Sequence, residues 1–301
     1  MDGGWAHRPV LVTEAVELLA PADPFVVVDC TVGLGGHAEA LLRASGGRAR
    51  LVGIDADDEN LRLCKARLAP FGERVRLFQA NFAELPEVMD AAGVSAADVL
   101  LADLGVSSNQ LDDPSRGLSF LADGPLDMRL DRRIARTAAD LVNGLAESQL
   151  ADLIYAYGEE RYSRRIARRI VEARKRRRIE RTLELAGLVA AAYPRAAGKT
   201  RRGAHPATRT FQALRIAVND ELASLERLLS LLPSVLAVGG RAAVISFHSL
   251  EDRRVKQSFA RWASTGGAEL LNRKVIRPGR QELAANPRSR SARLRAVERV
   301  A

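Results

Sequence analysis

The feature that most constrains the fold is a regular alternation of short apolar strands and helices in the first third of the chain. Runs rich in β-branched residues predict four strands, at 25–30, 50–55, 75–79 and 98–103. The stretches between them predict helices at 37–44, 57–68 and 82–92. Because neighbouring parallel strands need a crossover, this order predicts βαβ units. The predicted fold class is α/β, with a mostly parallel, doubly wound sheet and helices on both faces.

Three of these strands end in an aspartate, namely Asp29, Asp55 and Asp103. Ligands of open α/β sheets bind outside the carboxyl ends of the strands, so these side chains are candidates for a binding site. Each aspartate alone could instead cap a helix or form a turn. An acid at all three strand ends favours the binding site.

The alternation stops after residue 103, and the next strand is predicted at 240–246, more than 130 residues later. One crossover needs a single helix, so most of this interval must form something else. Helices are predicted at 145–155, 159–178, 182–192 and 207–232, the last opening at Pro206 and ending before Pro233. We therefore predict an inserted helical domain at 113–206, within a discontinuous α/β domain of residues 1–112 and 207–301. Two more strands are predicted at 272–277 and 291–298.

Positive charge is concentrated in one segment of the chain. The net charge of the 301 residues is +9, whereas residues 161–202 hold fifteen Lys and Arg against three acids, a charge of +12. Such a patch favours a polyanion because each neutralised phosphate releases counterions, although a solvated arginine-rich helix has the same composition. The predicted nucleic-acid-binding residues are Arg174, Lys175, Arg176, Arg177 and Arg178.

Composition disfavours membrane and secreted proteins and shows no tight transition-metal site. No apolar run approaches the length of a membrane span, and Glu14 and Glu17 interrupt any signal-peptide core. Cys30 and Cys64 lie in apolar segments and form no CxxC pair. Four scattered histidines show no motif for a tight transition-metal site. We expect a cytoplasmic protein without a disulfide framework and assign no metal ligands, while the sequence leaves open whether a metal is required.

A glycine-rich loop joins the first strand to the first helix, and its glycines are Gly33, Gly35 and Gly36. Glycine lets a backbone approach a ligand without a Cβ clash, and the helix N-terminus adds the positive end of a dipole. Asp55, at the end of the next strand, is placed to hold ribose hydroxyls. The loop alone fits both NAD and S-adenosylmethionine. Asp29, directly before it, suits a cationic ammonium group, which a pyrophosphate lacks.

Nine segments spread over nearly the whole chain carry a more specific signal: His7–Leu11, Asp29–His37, Asp103–Gln110, Gly124–Arg129, Tyr157–Arg161, Arg165–Arg168, His205–Gln212, Ile245–Arg253 and Ala285–Arg290. In this order they resemble the bacterial small-subunit ribosomal RNA cytosine-N4 methyltransferases, the MraW or RsmH family. The resemblance implies a class I, Rossmann-like methyltransferase fold with an inserted helical domain, and S-adenosylmethionine as cofactor. Gly33 of the loop is one predicted cofactor contact. The resemblance implies seven more: Gly35, Gly36, His37, Asp55, Phe82, Asp103 and Gln110. Phe82 would stack on the adenine, although a Phe there is more often a core residue.

The resemblance also implies N4-methylation of a cytidine in the decoding region of 16S ribosomal RNA, with the basic insert binding the RNA. The amine is a weak nucleophile, so it needs in-line positioning and a proton acceptor, for which Asp103 is the candidate. Many amino-methyltransferases place two prolines and an aromatic residue after this acid, whereas residues 104–106 here are Leu-Gly-Val. The stacking ring must therefore come from elsewhere. Phe247 and His248 are candidates, His248 also as a catalytic residue, with a structural histidine as its alternative.

Three other functions share parts of this pattern. A DNA amino-methyltransferase would use the same chemistry, and an NAD-dependent oxidoreductase would use the same loop but would not need the basic insert. A non-catalytic RNA-binding protein would not need the loop and the acids together. The sequence leaves open whether the RNA is free or within the small ribosomal subunit, and whether the chain forms a homodimer. The stretch 260–272 is shorter than in many relatives, so substrate contacts made there are not expected to carry over.

Overall fold

The structure is a computed structural model that describes residues 9–20, 25–194 and 205–301. His7 and Arg8, which open the first of the nine segments, lie outside the described residues. The chain divides into two compact units. The sheet unit comprises Met1–Gly105 and Leu222–Ala301, and the helical unit comprises Val106–Glu221. No helix in the described ranges is long and apolar enough to cross a membrane.

The strands of the described residues are β1 Val26–Asp29, β2 Arg50–Asp55, β3 Val75–Gln79, β4 Ala97–Asp103, β5 Leu236–Ser246, β6 Ala268–Leu270 and β7 Arg293–Arg299. They form one sheet in the order β3-β2-β1-β4-β5-β7-β6. The first five strands pair in parallel, and β7 is antiparallel to both of its neighbours. This mostly parallel sheet, covered by helices on both faces, confirms the predicted α/β class.

The α-helices of the described residues are α1 Val12–Leu19, α2 Gly36–Ala44, α3 Asp58–Leu68, α4 Leu85–Ala91, α5 Ser108–Asp112, α6 Ala138–Gly144, α7 Glu147–Gly158, α8 Ser163–Arg174, α9 Thr182–Ala191, α10 Thr208–Asn219, α11 Glu221–Val235, α12 Ser249–Ser264 and α13 Arg280–Ala285. Helices α5–α10 belong to the helical unit, and the others belong to the sheet unit.

Two apolar layers enclose the sheet, because successive residues of a strand point to opposite faces. Val28 and Leu100 pack with α4, α11 and α12 on one face. Val27 and Leu101 pack with α1, α2 and α3 on the other. Burial of both faces explains the continuous apolar runs in the sequence. Polar side chains of the central strands are consequently confined to the strand ends.

The helical unit has its own core, to which Ile154 of α7, Ile166 and Ile170 of α8, and Leu214 of α10 contribute. Helices α7 and α10 approach closely at Gly158. A Cβ at this position would lie 2.6 Å from the carbonyl oxygen of Arg209, so glycine is required. Gly158 therefore serves helix packing.

The helix predicted at 207–232 is two helices. Asp220 adopts the left-handed conformation (φ 50°, ψ 38°) and ends α10, and α11 follows directly. The predicted end before Pro233 is also wrong, because α11 includes this proline. Phe211 and Leu214 of α10 pack in the core of the helical unit, so this helix belongs to that unit. Along the chain, the boundaries between the units lie at 105/106 and 221/222. The boundaries predicted from the sequence were 112/113 and 206/207.

The strand predicted at 291–298 corresponds to β7, but the strand predicted at 272–277 is wrong. Its place in the sheet is taken by β6, which lies within the stretch 260–272. The Asn272 side chain explains the change: it accepts a hydrogen bond from the Ala296 amide at 2.7 Å and donates one to the Leu294 carbonyl at 2.9 Å. At Asn272, side-chain hydrogen bonds to β7 thus take the place of the backbone hydrogen bonds that a strand would make. Only an isolated bridge between Ile276 and Leu294 remains in the predicted range.

Candidate functional site

The glycine-rich loop follows β1 and turns into α2. Gly33 and Gly35 have positive φ (50° and 79°), which glycine adopts without strain. The Val32 amide donates to the Ile54 carbonyl at 2.8 Å, and the Gly35 amide donates to the Val32 carbonyl at 2.7 Å. The loop is thereby anchored to β2, and it lies at the carboxyl ends of the parallel strands.

The three glycines serve different purposes. A Cβ on Gly35 would lie 3.0 Å from the Cys64 sulfur, and a Cβ on Gly36 would lie 2.9 Å from the Pro9 ring. These two glycines are thus required for packing against α3 and the N-terminal segment. A Cβ on Gly33 would meet only the Thr31 carbonyl oxygen, at 3.7 Å. The contacts of Gly35 and Gly36 with the cofactor stay predictions, and their backbone amides are the groups that could make them.

Asp55 stabilises the loop from the end of β2. One carboxylate oxygen accepts hydrogen bonds from the Gly33 amide at 2.9 Å and from the Asn60 side chain at 3.3 Å. The other accepts from the Asp57 amide at 2.8 Å. A carboxylate has about four acceptor positions on its two oxygens, so Asp55 can still accept a hydrogen bond from a ligand hydroxyl. Burial raises the pKa of Asp55 to about 6, against these hydrogen bonds, which lower it.

Asp29 lies beneath the loop and is 1% exposed. Its carboxylate accepts a hydrogen bond from the Thr31 amide at 3.1 Å. Burial raises the pKa of Asp29 to about 7, and the negative charge of Asp55 raises it further against the Thr31 bond. A group so deeply buried influences a ligand mainly through its electric field.

Asp103 ends β4, where its amide donates to the Thr31 hydroxyl at 2.6 Å. One carboxylate oxygen, Oδ2, lies 3.7 Å from Nδ1 of His37. Nε2 of His37 is 2.9 Å from the Val10 carbonyl, which can only accept, so Nε2 carries the proton. The other oxygen of Asp103, Oδ1, is buried and has no hydrogen-bond partner among the described residues.

Negative charge accumulates around Asp103. Burial raises its pKa well above the ordinary range, and the charges of Asp29, Glu251 and Glu282 raise it further. Each acid at these strand ends would be stabilised in its ionised form by a cation close by. These carboxylates therefore suit the positively charged sulfonium and ammonium groups of S-adenosylmethionine, and they disfavour the negatively charged pyrophosphate of NAD.

His248 caps α12. Its Nδ1 accepts from the Glu251 amide at 3.4 Å, and Nε2 lies 3.1 Å from the Glu251 carboxylate. Glu251 is 2% exposed and accepts from the Phe247 amide at 2.8 Å, which fixes the turn after β5. These contacts give His248 a structural role. Sequence analysis missed Glu251, although a capping residue followed three positions later by Glu is a known signal.

Phe82 begins a short 3-10 helix, Phe82–Glu84, after β3. Its half-buried ring packs against the core of the sheet unit. Gln110 lies in α5 of the helical unit, is 5% exposed, and accepts from the Ser107 amide at 2.9 Å. Packing and capping account for both side chains locally, and their cofactor contacts stay predictions.

The predicted nucleic-acid-binding run is only partly available for a ligand. The half-buried Arg174 donates to the carbonyls of Val142 and Leu145, at 2.6 and 2.7 Å. Arg177 is paired with Glu184 at 3.0 Å, and Arg178 with Asp140 at 2.7 Å. The guanidinium of Arg174 caps the end of α6, so a phosphate would have to compete with two backbone carbonyls for it, and its contact with RNA stays a prediction. Four other charges of the segment lie outside the described residues: Arg195, Lys199, Arg201 and Arg202.

Comparison with known proteins gives a consistent result. Residues 4–300 match the model of the MraW methylase family. A protein from Syntrophobacter fumaroxidans is 52% identical over 97% of this chain and 96% of its own length. One from Symbiobacterium thermophilum is 50% identical over 98% and 96%, and one from Geobacter sulfurreducens is 50% identical over 98% and 99%. All three relatives carry the name ribosomal RNA small subunit methyltransferase H.

Proposed function

Because the chain belongs to the MraW methylase family, we propose that it methylates the N4 amine of a cytidine in the decoding region of 16S ribosomal RNA. The cofactor is S-adenosylmethionine, which supplies an electrophilic methyl group on a cationic sulfur. The observation that carries the proposal is the match over the full length to relatives named for small-subunit ribosomal RNA. The buried acids at the strand ends, which favour a cation, support it independently.

We assign the proton acceptor to Asp103. As the amine nitrogen takes the methyl group, the bond between that carbon and the sulfonium sulfur would break, its electron pair would stay on sulfur, and the nitrogen must lose one proton. Oδ1 of Asp103 is buried and lacks a partner, so it can accept that proton. Burial and nearby negative charge raise the pKa of this carboxyl, and a cation bound beside it would lower that pKa and favour the ionised form that accepts. The other oxygen, Oδ2, lies 3.7 Å from Nδ1 of His37, so the two oxygens of the carboxylate have different surroundings.

Phe247 is the proposed stacking ring for the target base. It replaces the aromatic residue that is missing after Asp103. A Cβ added to Gly105 would lie 3.5 Å from the Phe247 ring, so the ring lies against the chain just beyond β4. Glu251 holds the Phe247 amide at 2.8 Å and so fixes the position of the residue. His248, which caps α12, is not proposed as a catalytic residue.

The test is methyl transfer from radiolabelled S-adenosylmethionine to small ribosomal subunits that lack their native methylation. Free ribosomal RNA and DNA are incubated in parallel, and the labelled nucleosides are then identified. Label in N4-methylcytidine of the subunit or of the free RNA supports the proposal, and the ratio of the two identifies the preferred substrate. Label in DNA alone, or in another nucleoside, contradicts it.

A further inference from the structure

The exposed face of α8 and the turn before it carry five arginines, which we name the α8 arginine face: Arg161, Arg164, Arg165, Arg168 and Arg169. We propose that this face, and not the run 174–178, binds the phosphodiester backbone of single-stranded RNA. The inference rests on the proposed function for its choice of RNA as the polyanion. It differs from the sequence prediction by placing the interface about three turns closer to the N-terminus of the helix.

The helix is strictly two-sided. Its buried residues are Ser163, Ile166, Ala167 and Ile170, and the five arginines lie on the opposite side. Arg161, Arg165 and Arg169 are spaced four residues apart, and Arg164 and Arg168 form a second row. Residues four apart lie on one face, separated by about 6 Å along the axis. No acid occurs from 161 to 171, so the rows form an uninterrupted line of charge. Successive phosphates of an extended strand can follow such a line.

Part of this face is held in place before any ligand binds. The guanidinium carbons of Arg161 and Arg165 lie 4.7 and 5.9 Å from the centre of the Tyr162 ring. Tyr193 packs edge-on against this ring at 4.8 Å, and its hydroxyl donates to Glu160 at 2.6 Å. Glu160, which is 2% exposed, also accepts from the Tyr162 amide at 2.8 Å. Because the tyrosine is fixed, ordering the two arginines on a phosphate costs less conformational entropy.

The charges of the α8 arginine face are also less compensated than those of the run 174–178. Arg168 has only a loose pair with Glu147, at 3.6 Å between exposed side chains. Arg164 and Arg169 are exposed and have no ion pair within the described ranges. Three of the five residues at 174–178 donate to protein carbonyls or carboxylates. Phosphate binding there would have to compete with those partners.

The test measures binding of a short single-stranded oligoribonucleotide to the full chain. The variant is Arg164→Gln/Arg169→Gln. The matched controls remove the same charge elsewhere in the helical unit: Lys175→Gln/Arg176→Gln and Arg132→Gln/Arg136→Gln, all four at exposed positions. Loss of two phosphate contacts should flatten the slope of log K against log salt by about 1.4 and weaken binding about 20-fold at 0.1 M salt. The controls should stay within about twofold of the parent chain, and S-adenosylmethionine binding should not change in any variant.

Equal losses in the α8 variant and in either control would overturn the inference, because binding would then follow net charge. Displacement of the RNA by polyglutamate as efficient as that by unlabelled RNA would overturn it in favour of an acidic protein partner. Failure of the proposed function is a separate result: the parent chain would transfer no methyl group to ribosomal RNA, while RNA binding would still depend on Arg164 and Arg169. A second variant, Arg161→Gln/Arg165→Gln, should weaken RNA binding to a similar extent.

Discussion

The two units of this protein hold their charges in opposite ways. The sheet unit buries acids at its strand ends, where Asp29 is 1% exposed and Asp103 lies among other negative charges. The helical unit displays arginines on the exposed side of α8, with apolar residues confined to the other side. One unit is thus built to attract a small cation into a desolvated site. The other exposes a row of positive charges, which by our proposal makes many weak contacts with a long anion.

Because the charges are held differently, each unit should respond to a different solution condition. A buried charge is little screened by salt, but its ionisation depends strongly on pH and on nearby charge. An exposed arginine stays charged at every accessible pH, and salt screens its field. The cofactor site should therefore be sensitive to pH, and the RNA surface should be sensitive to ionic strength.

The largest effect is expected for Asp103→Asn. Asparagine preserves the size of the side chain but cannot take up the proton that the amine loses, so kcat should fall at least about 100-fold. Single-turnover transfer at saturating cofactor measures the loss, and RNA binding should be unchanged. Asp90→Asn, an exposed acid of α4, is the control and should leave kcat as it is. Normal turnover by the Asp103 variant would show that the proton leaves by another route.

The next effect separates structural from ligand-binding arginines in the helical unit. Arg174→Ala removes the hydrogen bonds to the Val142 and Leu145 carbonyls and should lower the free energy of unfolding by about 2 kcal/mol. Lys175→Ala, at the exposed neighbouring position, should cost less than about 0.5 kcal/mol. Urea denaturation followed by circular dichroism gives both values. Equal stabilities would mean that Arg174 is available for RNA after all.

Much of the sheet unit could be predicted because its signals are local. Strands β2 and β3 match the predicted ranges 50–55 and 75–79 residue for residue, and Asp55 stands at the carboxyl end of β2, where a parallel sheet places its ligands. Strand β6 was missed because its position depends on a contact distant in sequence. There the Asn272 side chain bonds to β7, and Ala268–Leu270, just before it in the chain, complete the sheet. Short edge strands of this kind have little pattern of their own.

The candidate site shows the same limit. Asp103 was recognisable at a strand end, but its neighbours His37 and Glu251 are brought to it only by the fold. Gly35 and Gly36 were recognisable as a motif, but the Cys64 and Pro9 contacts that require them were not. Charge composition likewise located the basic segment. It could not distinguish arginines that cap a helix from those that stay exposed, because that depends on which acceptors lie within reach.

A smaller effect is expected for the pH dependence of cofactor affinity. The pKa values of Asp55 and Asp29 are raised to about 6 and about 7, so the free site holds protons up to these pH values. A bound cation favours the ionised carboxylates, so the affinity for S-adenosylmethionine should rise roughly tenfold from pH 5 to pH 8. S-adenosylhomocysteine lacks the sulfonium charge and should show a weaker rise. Titration calorimetry measures both, and Asp29→Asn should reduce the difference. If the affinity of both ligands rose equally with pH, the sulfonium charge would not be the cause of the rise.

The smallest effect is expected for the salt dependence of cofactor binding, and it is the sharpest test of the contrast between the units. The acids at the strand ends are buried, so salt screens them weakly, and the Kd of S-adenosylmethionine should change less than about twofold between 0.05 and 0.3 M salt. Over the same range the Kd of single-stranded RNA should rise by more than tenfold if several arginines of α8 each bind a phosphate. Both ligands can be titrated in the same buffers against the same chain, so each serves as the control for the other. If cofactor affinity fell with salt as steeply as RNA affinity, the acids would be open to solvent. Burial, which raises the pKa values of Asp29 and Asp55, would then not explain the selection of a cation.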